Sequence, residues 1–278
     1  HDDIQDQSPL RHGRPAVWMQ WGISSAINAG DALFALSYAA LARLRGCVAN
    51  AVALRVQAIF SQTSLELTRG QHLDMCFETQ PSVTTDEYLS MIEGKSAALL
   101  AASAQIGALI GSGDDELAWH YHTFGLNLGL AFQIRDDILG IWGDPAVTGK
   151  SAATDILARK KSVPVLYGLE RSPALRDLYG RSDFGDAEVR ESVRLLDALD
   201  ARGYTAGLEA KYHQQALDAL SAAQPNQPAA SGLAGLLDSL LGRSASTNSP
   251  STVLLSKRPR PVSITRSSLH LPSPSGSN

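Results

Sequence analysis

Three features of the sequence predict an all-α protein. Alanine and leucine dominate its 278 residues, β-branched and aromatic residues form few clusters, and apolar residues recur at helical spacing over long segments. Neither an internal repeat nor the alternating apolar and polar pattern of strands is present. The chain is also long enough to bury a full core.

The first clear helix covers residues 25–44, where Ile27, Leu33, Phe34 and Leu41 lie at helical spacing among alanines. We expect this helix to be long and buried, with small residues that let another helix approach closely. Further helices are predicted at 50–68, 86–111, 114–141, 162–170, 186–201, 204–222 and 232–243. Breaks are predicted at Gly70, at Pro81 and at residues 111–115, 143–149 and 224–228.

The chain divides by composition into a helical domain, residues 1–243, and a tail, residues 244–278. The tail has no acidic residue, four basic residues and many serines and prolines, which is typical of a disordered segment. At the other end, the chain begins at His1 without a methionine, so we expect its first segment to be missing.

Composition also excludes several functions. A net charge of −4 provides no electrostatic footprint for nucleic acid, and no apolar segment is long enough for a transmembrane helix. Cys47 and Cys76 are far apart and lack the spacing of a metal site. They are typical of reduced thiols, so we expect a cytoplasmic protein.

Carboxylates crowd the very start of the chain. In the stretch HDDIQDQSPLRHGRP, Asp2 and Asp6 share one face if the segment is helical, and Asp3 lies about 100° around the axis. Like charges at this spacing destabilise a helix unless a cation lies between them. Arg11 and His12 follow at once.

A second acidic pair, Asp136 and Asp137, interrupts the apolar helical run GLNLGLAFQIRDDILGIW. Carboxylates are rarely buried without partners, so this pair indicates a cation or compensating hydrogen bonds. Four candidate phosphate-binding or metal-binding residues follow: Lys150, Asp155, Lys160 and Lys161.

Together, the two clusters predict a site for Mg²⁺ and a diphosphate. Mg²⁺ prefers oxygen ligands and is commonly shared between a few carboxylates and substrate phosphates, and nearby bases neutralise the remaining charge. The chain has no arrangement typical of a Ser-His-Asp triad. It also lacks the GxxxxGK[ST] loop of nucleotide hydrolases.

Six ordered elements resemble the polyprenyl synthetase family of trans-isoprenyl diphosphate synthases, which includes farnesyl and geranylgeranyl diphosphate synthases. HDDIQD resembles its first aspartate-rich motif, RHGRP its RRG[RK]P and GQHLD its GQ-x-x-D element. EGKSAAL resembles its lysine-containing helix, FQIRDDILGIWGDPAVTGK its second aspartate-rich motif and KKSVP its K-x-[TS]-x-P. This resemblance implies a helical bundle around a central cavity.

The resemblance also implies roles for individual residues. The residues that bind Mg²⁺, or that support those ligands, would be Asp2, Asp3, Asp6, Asp136, Asp137 and Asp155. The residues that contact the allylic diphosphate would be Arg11, Lys95, Lys150 and Lys160. The place where the allylic cation forms would be lined by Lys95, Ser96 and Gln133. The supporting polar residues of the substrate site would be Gln71 and Asp74.

The chain departs from the family pattern in three places. His12 stands where the family has the second arginine of a pair, which the resemblance assigns to isopentenyl diphosphate. Gly140 stands where the second motif usually ends in aspartate, and Asp144 is the nearest later carboxylate. The first segment, which carries the family's glycine-lysine-arginine site for isopentenyl diphosphate, is absent from the chain.

The activity implied by the resemblance is head-to-tail condensation of an allylic prenyl diphosphate with isopentenyl diphosphate. Two alternatives remain open: a class I terpene cyclase that acts on one prenyl diphosphate, and a non-catalytic subunit of a heteromeric synthase. His12 and the missing aspartate at Gly140 favour the cyclase, whereas Lys95, Lys150 and Lys160 favour the synthase. The alanine-rich helix 25–44 resembles the family's dimer interface, so we expect a homodimer.

Overall fold

The all-α prediction is confirmed by the computed structural model, which describes residues 1–11, 13–143 and 153–241. Its first seven helices are α1 (Asp2–Gln5), α2 (Val17–Trp21), α3 (Ile23–Ala42), α4 (Asn50–Thr79), α5 (Thr85–Ile92), α6 (Ala98–Ser112) and α7 (Asp115–Trp142). After the second gap come α8 (Thr154–Leu157), α9 (Val163–Arg171), α10 (Pro173–Tyr179), α11 (Asp186–Ala198), α12 (Ala201–Ala223) and α13 (Ala229–Leu241).

Two short elements complete this part of the chain. A two-residue antiparallel hairpin pairs β1 (Leu10–Arg11) with β2 (Arg14–Pro15). A π-helical turn, Glu93–Ala97, joins α5 to α6. None of the helices described here has both the length and the apolar character that crossing a bilayer requires.

The helix boundaries correct the sequence prediction at two points. α4 continues through Gly70, where we predicted a break, and it ends at Thr79, just before Pro81. The helix predicted at 86–111 is interrupted by the π-helical turn. Both differences arise from contacts between helices that are distant in sequence.

The central helix is α7, which packs against α6 on one side and α12 on another. Its apolar residues are buried as predicted: Leu128, Leu130, Ile134, Ile138 and Ile141. Asp114 caps its N-terminus by accepting bonds from the backbone N–H groups of Glu116 and Leu117. A half-buried ion pair between Arg135 and Glu209, 3.1 Å long, also links α7 to α12.

Glycines let the π-helical turn lie unusually close to its neighbours. A Cβ atom on Gly70 of α4 would overlap the backbone nitrogen of Lys95, and one on Gly129 of α7 would lie 2.6 Å from Cα of Ala97. Such distances are too short for non-bonded carbon atoms. The turn is therefore held between α4 and α7 by backbone contacts that only glycine permits.

The expectation that the helix at 25–44 is buried is wrong for a single copy of the chain. Only Ala26 of α3 is buried, while Leu33 and Leu36 are 68% and 62% exposed. The aromatic rings of Phe34, Tyr38 and Phe60 nevertheless join α3 to α4, with centroids 5.3 and 5.1 Å apart. Most of the apolar surface of α3 thus faces away from the rest of the described chain.

One buried carboxylate joins three helices. Asp137 of α7 is 3% exposed and accepts hydrogen bonds from the Tyr88 hydroxyl of α5, at 2.8 and 2.9 Å, and from the backbone N–H of Val163 at the start of α9, at 3.1 Å. Burial raises the pKa of Asp137 to about 7, although these hydrogen bonds lower it. The compensation predicted for this acidic pair is therefore supplied, for Asp137, by hydrogen bonds.

Replacing Gly129 by alanine should destabilise the fold, because the added Cβ would press against Ala97. We expect a loss of about 1–3 kcal/mol in the free energy of unfolding. The matched control is Gly107→Ala on α6, where an added Cβ meets open space. This control should gain up to about 1 kcal/mol from helix propensity. Urea unfolding of both variants measures the difference, and equal shifts would contradict the close packing.

The pKa of Asp137 should make stability depend on pH. A folded-state pKa of about 7, above the unfolded value of about 3.9, contributes stability that is fully present below pH 4 and lost as the pH rises to about 7. In chelator-treated protein, the free energy of unfolding should therefore fall over this range relative to Asp137→Asn. The exposed Asp218→Asn should follow the wild type, and parallel curves for wild type and Asp137→Asn would refute the assignment.

Candidate active site

Arg11 holds the first acidic cluster together. Its guanidinium donates to Oδ1 of Asp3 at 2.8 Å and to Oδ2 of Asp2 at 2.7 Å, and these two partners raise the pKa of Arg11. The β1–β2 hairpin brings Arg11 back beside α1. Arg11 is therefore the cation that the crowded carboxylates of this cluster require. Its side chain is half exposed and accessible to a ligand.

Lys95 extends this cluster from the π-helical turn. Its Nζ lies 2.5 Å from Oδ2 of Asp74 on α4 and 4.0 Å from Oδ1 of Asp2. Partial burial raises the pKa of Asp6, the charges of Asp2 and Asp74 raise it further, and Lys95 opposes them. Asp74 thus forms an ion pair with Lys95, a candidate substrate-binding residue, which is consistent with a role in supporting Lys95.

In the second cluster, one of the two adjacent aspartates faces solvent and the other faces the core. Asp136 is exposed, whereas Asp137 is buried with its oxygens occupied by hydrogen bonds. Oδ1 of Asp155 lies 3.6 Å from Nζ of Lys160. Burial lowers the pKa of Lys160, but the charges of Asp155, Asp136 and other carboxylates outweigh burial and raise it.

The two clusters face the same space although about 130 residues separate them. Lys160 is close enough to Asp6 and Asp74 for each pair to interact electrostatically, and it also interacts with Asp136. Carboxylates of both acidic clusters therefore act on Lys160, whereas Lys95 lies near those of the first cluster and near Asp74. This arrangement suits a polyanion that brings divalent cations with it.

A chain of hydrogen bonds connects this site to the core. The hydroxyl of Ser96 donates to Oε1 of Gln133 at 2.8 Å, and Nε2 of Gln133 donates to Oδ1 of Asp137 at 3.4 Å. The acceptor Asp137 fixes which way the Gln133 amide points, and Tyr88 in turn fixes Asp137. Sequence reasoning missed Tyr88, since a single tyrosine carries no signal of its distant partner.

Two other candidate residues have structural contacts. Lys161 donates to the carbonyls of Phe77 and Gln80, each at 2.5 Å, and so caps the C-terminal end of α4. Its prediction as a phosphate-binding base is therefore wrong. Gln71 donates to Oε1 of Gln5 at 3.0 Å, which ties α4 to α1 as a supporting polar group would.

The donor atoms fit Mg²⁺ only in a shared arrangement. Among the described residues, no group of three or more histidine, cysteine, aspartate or glutamate side chains is placed to hold an ion alone. Mg²⁺ commonly takes one or two carboxylates together with substrate phosphates. Oxygen atoms for such coordination could come from the exposed Asp136, the half-exposed Asp2 and the carboxylates of Asp3 and Asp6. Direct ligation by Asp137 stays a prediction.

A cleft of about 250 Å³ lies beside the π-helical turn. It is bordered by α4, α5, the turn, α6 and α7, with these residues at its wall: Glu66, Arg69, Gly70, Leu73, Ser90, Glu93, Gly94, Ala98, His122 and Leu126. None of the predicted site residues in the described parts of the chain lines this cleft, so the central cavity implied by the resemblance stays a prediction. Four ionisable side chains make this wall more polar than that of a purely apolar cavity.

Three residues named in the sequence analysis lie outside the described parts of the chain: His12, Asp144 and Lys150. The assignments of His12 to isopentenyl diphosphate and of Lys150 to the allylic diphosphate therefore stay predictions. The predicted tail at 244–278 also lies outside the described residues, as does most of the loop at 143–149.

The sequence is similar to known prenyl diphosphate synthases. A farnesyl diphosphate synthase of Mycobacterium tuberculosis is 36% identical over 239 residues, which cover 83% of this chain and 66% of that protein. A geranylgeranyl diphosphate synthase of the same species is 44% identical over 200 residues, which cover 72% of this chain and 56% of that protein. The chain thus spans slightly less than two thirds of the first relative and just over half of the second.

Solved structures show the same similarity in three dimensions. A geranylgeranyl pyrophosphate synthetase from Pyrococcus horikoshii has a TM-score of 0.79 and 32% identity, covering 87% of this chain and 74% of that one. A polyprenyl synthetase from Streptomyces coelicolor has a TM-score of 0.78 and 34% identity, covering 87% and 73%. The family model of polyprenyl synthetases matches residues 1–196. The chain belongs to the polyprenyl synthetase family.

Proposed function

We propose that the protein is a trans-prenyltransferase that condenses an allylic prenyl diphosphate with isopentenyl diphosphate, head-to-tail, and releases pyrophosphate. The observation that carries this proposal is that Lys160 interacts with Asp6 of the first aspartate-rich motif and with Asp136 of the second, while Lys95 lies near Asp2. A diphosphate is a ligand with enough negative charge to engage both lysines. The similar proteins named as farnesyl and geranylgeranyl diphosphate synthases support the same reaction.

In the proposed reaction, the bond between C1 and oxygen of the allylic diphosphate breaks, and pyrophosphate leaves with the electron pair. Lys95, Lys160 and Arg11 bind the departing charge, which grows as the bond breaks and is therefore stabilised most in the transition state. The alkene of isopentenyl diphosphate then forms the new carbon–carbon bond. Loss of a proton to pyrophosphate completes the condensation.

We propose Mg²⁺ as the cofactor, bound by the carboxylates of Asp2, Asp3, Asp6 and Asp136 together with the diphosphate. When bound, it would supply positive charge that stabilises the leaving pyrophosphate. Burial raises the pKa of Asp6, and the charges of Asp2 and Asp74 raise it further; this repulsion between carboxylates supports a cation at this place. Arg11 also screens this repulsion by pairing with Asp2 and Asp3.

Ser96 and Gln133 are proposed to face the allylic cation. An amide oxygen has two lone pairs, and the Ser96 hydroxyl uses only one of those on Oε1 of Gln133. The other can point toward developing positive charge. Asp137 holds the amide in this orientation by accepting a hydrogen bond from Nε2 of Gln133. Because the proposed reaction begins with ionisation of the allylic diphosphate, no side chain has to act as a nucleophile.

We further propose a homodimer in the cytoplasm. The surface of α3 carries five large exposed apolar residues: Ile23, Ile27, Leu33, Phe34 and Leu36. A second copy of the same helix is a partner of matching chemistry, and apolar faces of this kind are typical of dimer interfaces. Both cysteines are free thiols, which supports a reducing compartment.

Replacing Asp2 or Asp136 by alanine should reduce prenyl transfer by at least about 100-fold, because each removes a carboxylate from the diphosphate site. Incorporation of labelled isopentenyl diphosphate into longer products measures this loss. Asp218→Ala, on the distant surface of α12, should retain normal activity, and chelator should abolish the activity of the wild type. Circular dichroism should show unchanged helix content in all three variants.

These assays also separate the alternatives. Release of a hydrocarbon or alcohol from one prenyl diphosphate, without isopentenyl diphosphate, would identify a cyclase. A folded protein that is inactive alone, but active with a second chain, would identify a non-catalytic subunit. Near-normal turnover of either aspartate variant in chelator would refute the metal assignment.

A charged residue in the centre of the α3 surface should prevent dimer formation. We expect Leu33→Lys to convert the dimer to a monomer, because burying an unpaired ammonium group at an apolar interface costs several kcal/mol. The matched control is Leu236→Lys on α13, which replaces another exposed leucine. Light scattering after gel filtration measures the mass, and an unchanged mass for Leu33→Lys would refute this interface.

A further inference from the structure

The second acidic motif lacks a carboxylate where its spacing would place one. Gly140 lies four residues after Asp136 on α7, so the two positions are on the same face of the helix. A Cβ atom on Gly140 would overlap Oδ2 of Asp155 and would lie 3.2 Å from Oδ1. The volume that a side chain at position 140 would need is therefore filled by the Asp155 carboxylate.

Asp155 is brought to this place by a well-anchored segment. Its neighbour Ile156 is fully buried in a core cluster with Ile141 of α7. Ala153, two residues before Asp155, has a positive φ of 56°, and the backbone N–H of Lys160 donates to the Asp155 carbonyl at 2.9 Å. The side chain of Asp155 is only 14% exposed. Its position against Gly140 is thus determined by the packing of α8 on α7.

The Asp155 carboxylate also belongs to the electrostatic surroundings of the site. Its Oδ1 lies 3.6 Å from Nζ of Lys160, the lysine that interacts with both aspartate-rich motifs. Its charge reaches the buried pair formed by Asp137 and Tyr88 as well. The Asp155 carboxylate therefore interacts with Lys160 and Asp137, the groups that a carboxylate at position 140 would also reach.

We infer that Gly140 and Asp155 work as a pair, in which the glycine leaves the space that allows the Asp155 carboxylate to complete the second acidic cluster. The inference rests on the proposed function, since the completed cluster serves to bind Mg²⁺ and a diphosphate. Asp155 has the binding role, and Gly140 has a positioning role. A side chain at position 140 must displace the carboxylate, because Asp155 has a short side chain on an anchored backbone.

The test uses binding of inorganic pyrophosphate in MgCl₂, measured by calorimetry on the purified protein. Gly140→Ala and Asp155→Gly should each weaken pyrophosphate binding by about 10-fold or more. In the double variant Gly140→Asp/Asp155→Gly, the carboxylate moves from α8 to α7 and the space is vacated. This double variant should bind within about threefold of the wild type.

Two further variants exclude loss of folding as the cause. Asp155→Asn keeps the volume and removes the charge, so it should also weaken pyrophosphate binding. Gly107→Ala adds the same methyl group to a helix where it meets open space and should bind as the wild type does. Circular dichroism and urea unfolding confirm that each variant is folded.

The outcomes distinguish this inference from the proposed function. Wild-type affinity in Gly140→Ala, or a double variant as weak as Asp155→Gly alone, would overturn the pairing while leaving the diphosphate site intact. A wild-type protein that does not bind pyrophosphate in MgCl₂ would overturn the proposed function and the inference with it. Loss in the single variants and recovery in the double variant would establish the pair.

Discussion

The close approach of three helical backbones is the constraint on which the site depends. Gly70 of α4 and Gly129 of α7 have no side chain to keep the π-helical turn at the usual distance between helices. The turn therefore lies against both helices and presents Lys95 toward Asp74 and Ser96 toward Gln133. A π-helical turn inserts an extra residue into a helix, which re-aims the side chains on it. Backbone packing thus determines where the charged and polar groups point.

Ion pairs between basic groups and carboxylates also organise the site. Two basic groups of the site, Arg11 and Lys95, each lie between two carboxylates. Arg11 joins Asp2 and Asp3, whereas Lys95 joins Asp74 and Asp2. At Asp6, burial and the charges of Asp2 and Asp74 still raise the pKa, which further positive charge would lower.

Sequence reasoning predicted the fold class and most helices because apolar residues recur at helical spacing within each segment. The two acidic clusters were visible because each is formed by residues close together in the sequence. Helical spacing identifies α7 from Leu128 onward without knowledge of its neighbours. It did not predict that α4 passes through Gly70 or that a π-helical turn divides α5 from α6, because both depend on contacts between distant segments. For the same reason, the capping role of Lys161 and the bond from Tyr88 to Asp137 had no signal in the sequence.

The adjacent residues Asp136 and Asp137 show how one dipeptide can serve both the site and the core. Successive residues on a helix point about 100° apart, so when one faces the solvent-filled site its neighbour turns toward the packed interior. Asp136 is accordingly exposed, and Asp137 is buried among Tyr88, Gln133 and the start of α9. A buried carboxylate with these donors orients Gln133, which faces Ser96 at the site. The second acid of the motif is therefore held in the packed core, whereas the first is exposed at the site.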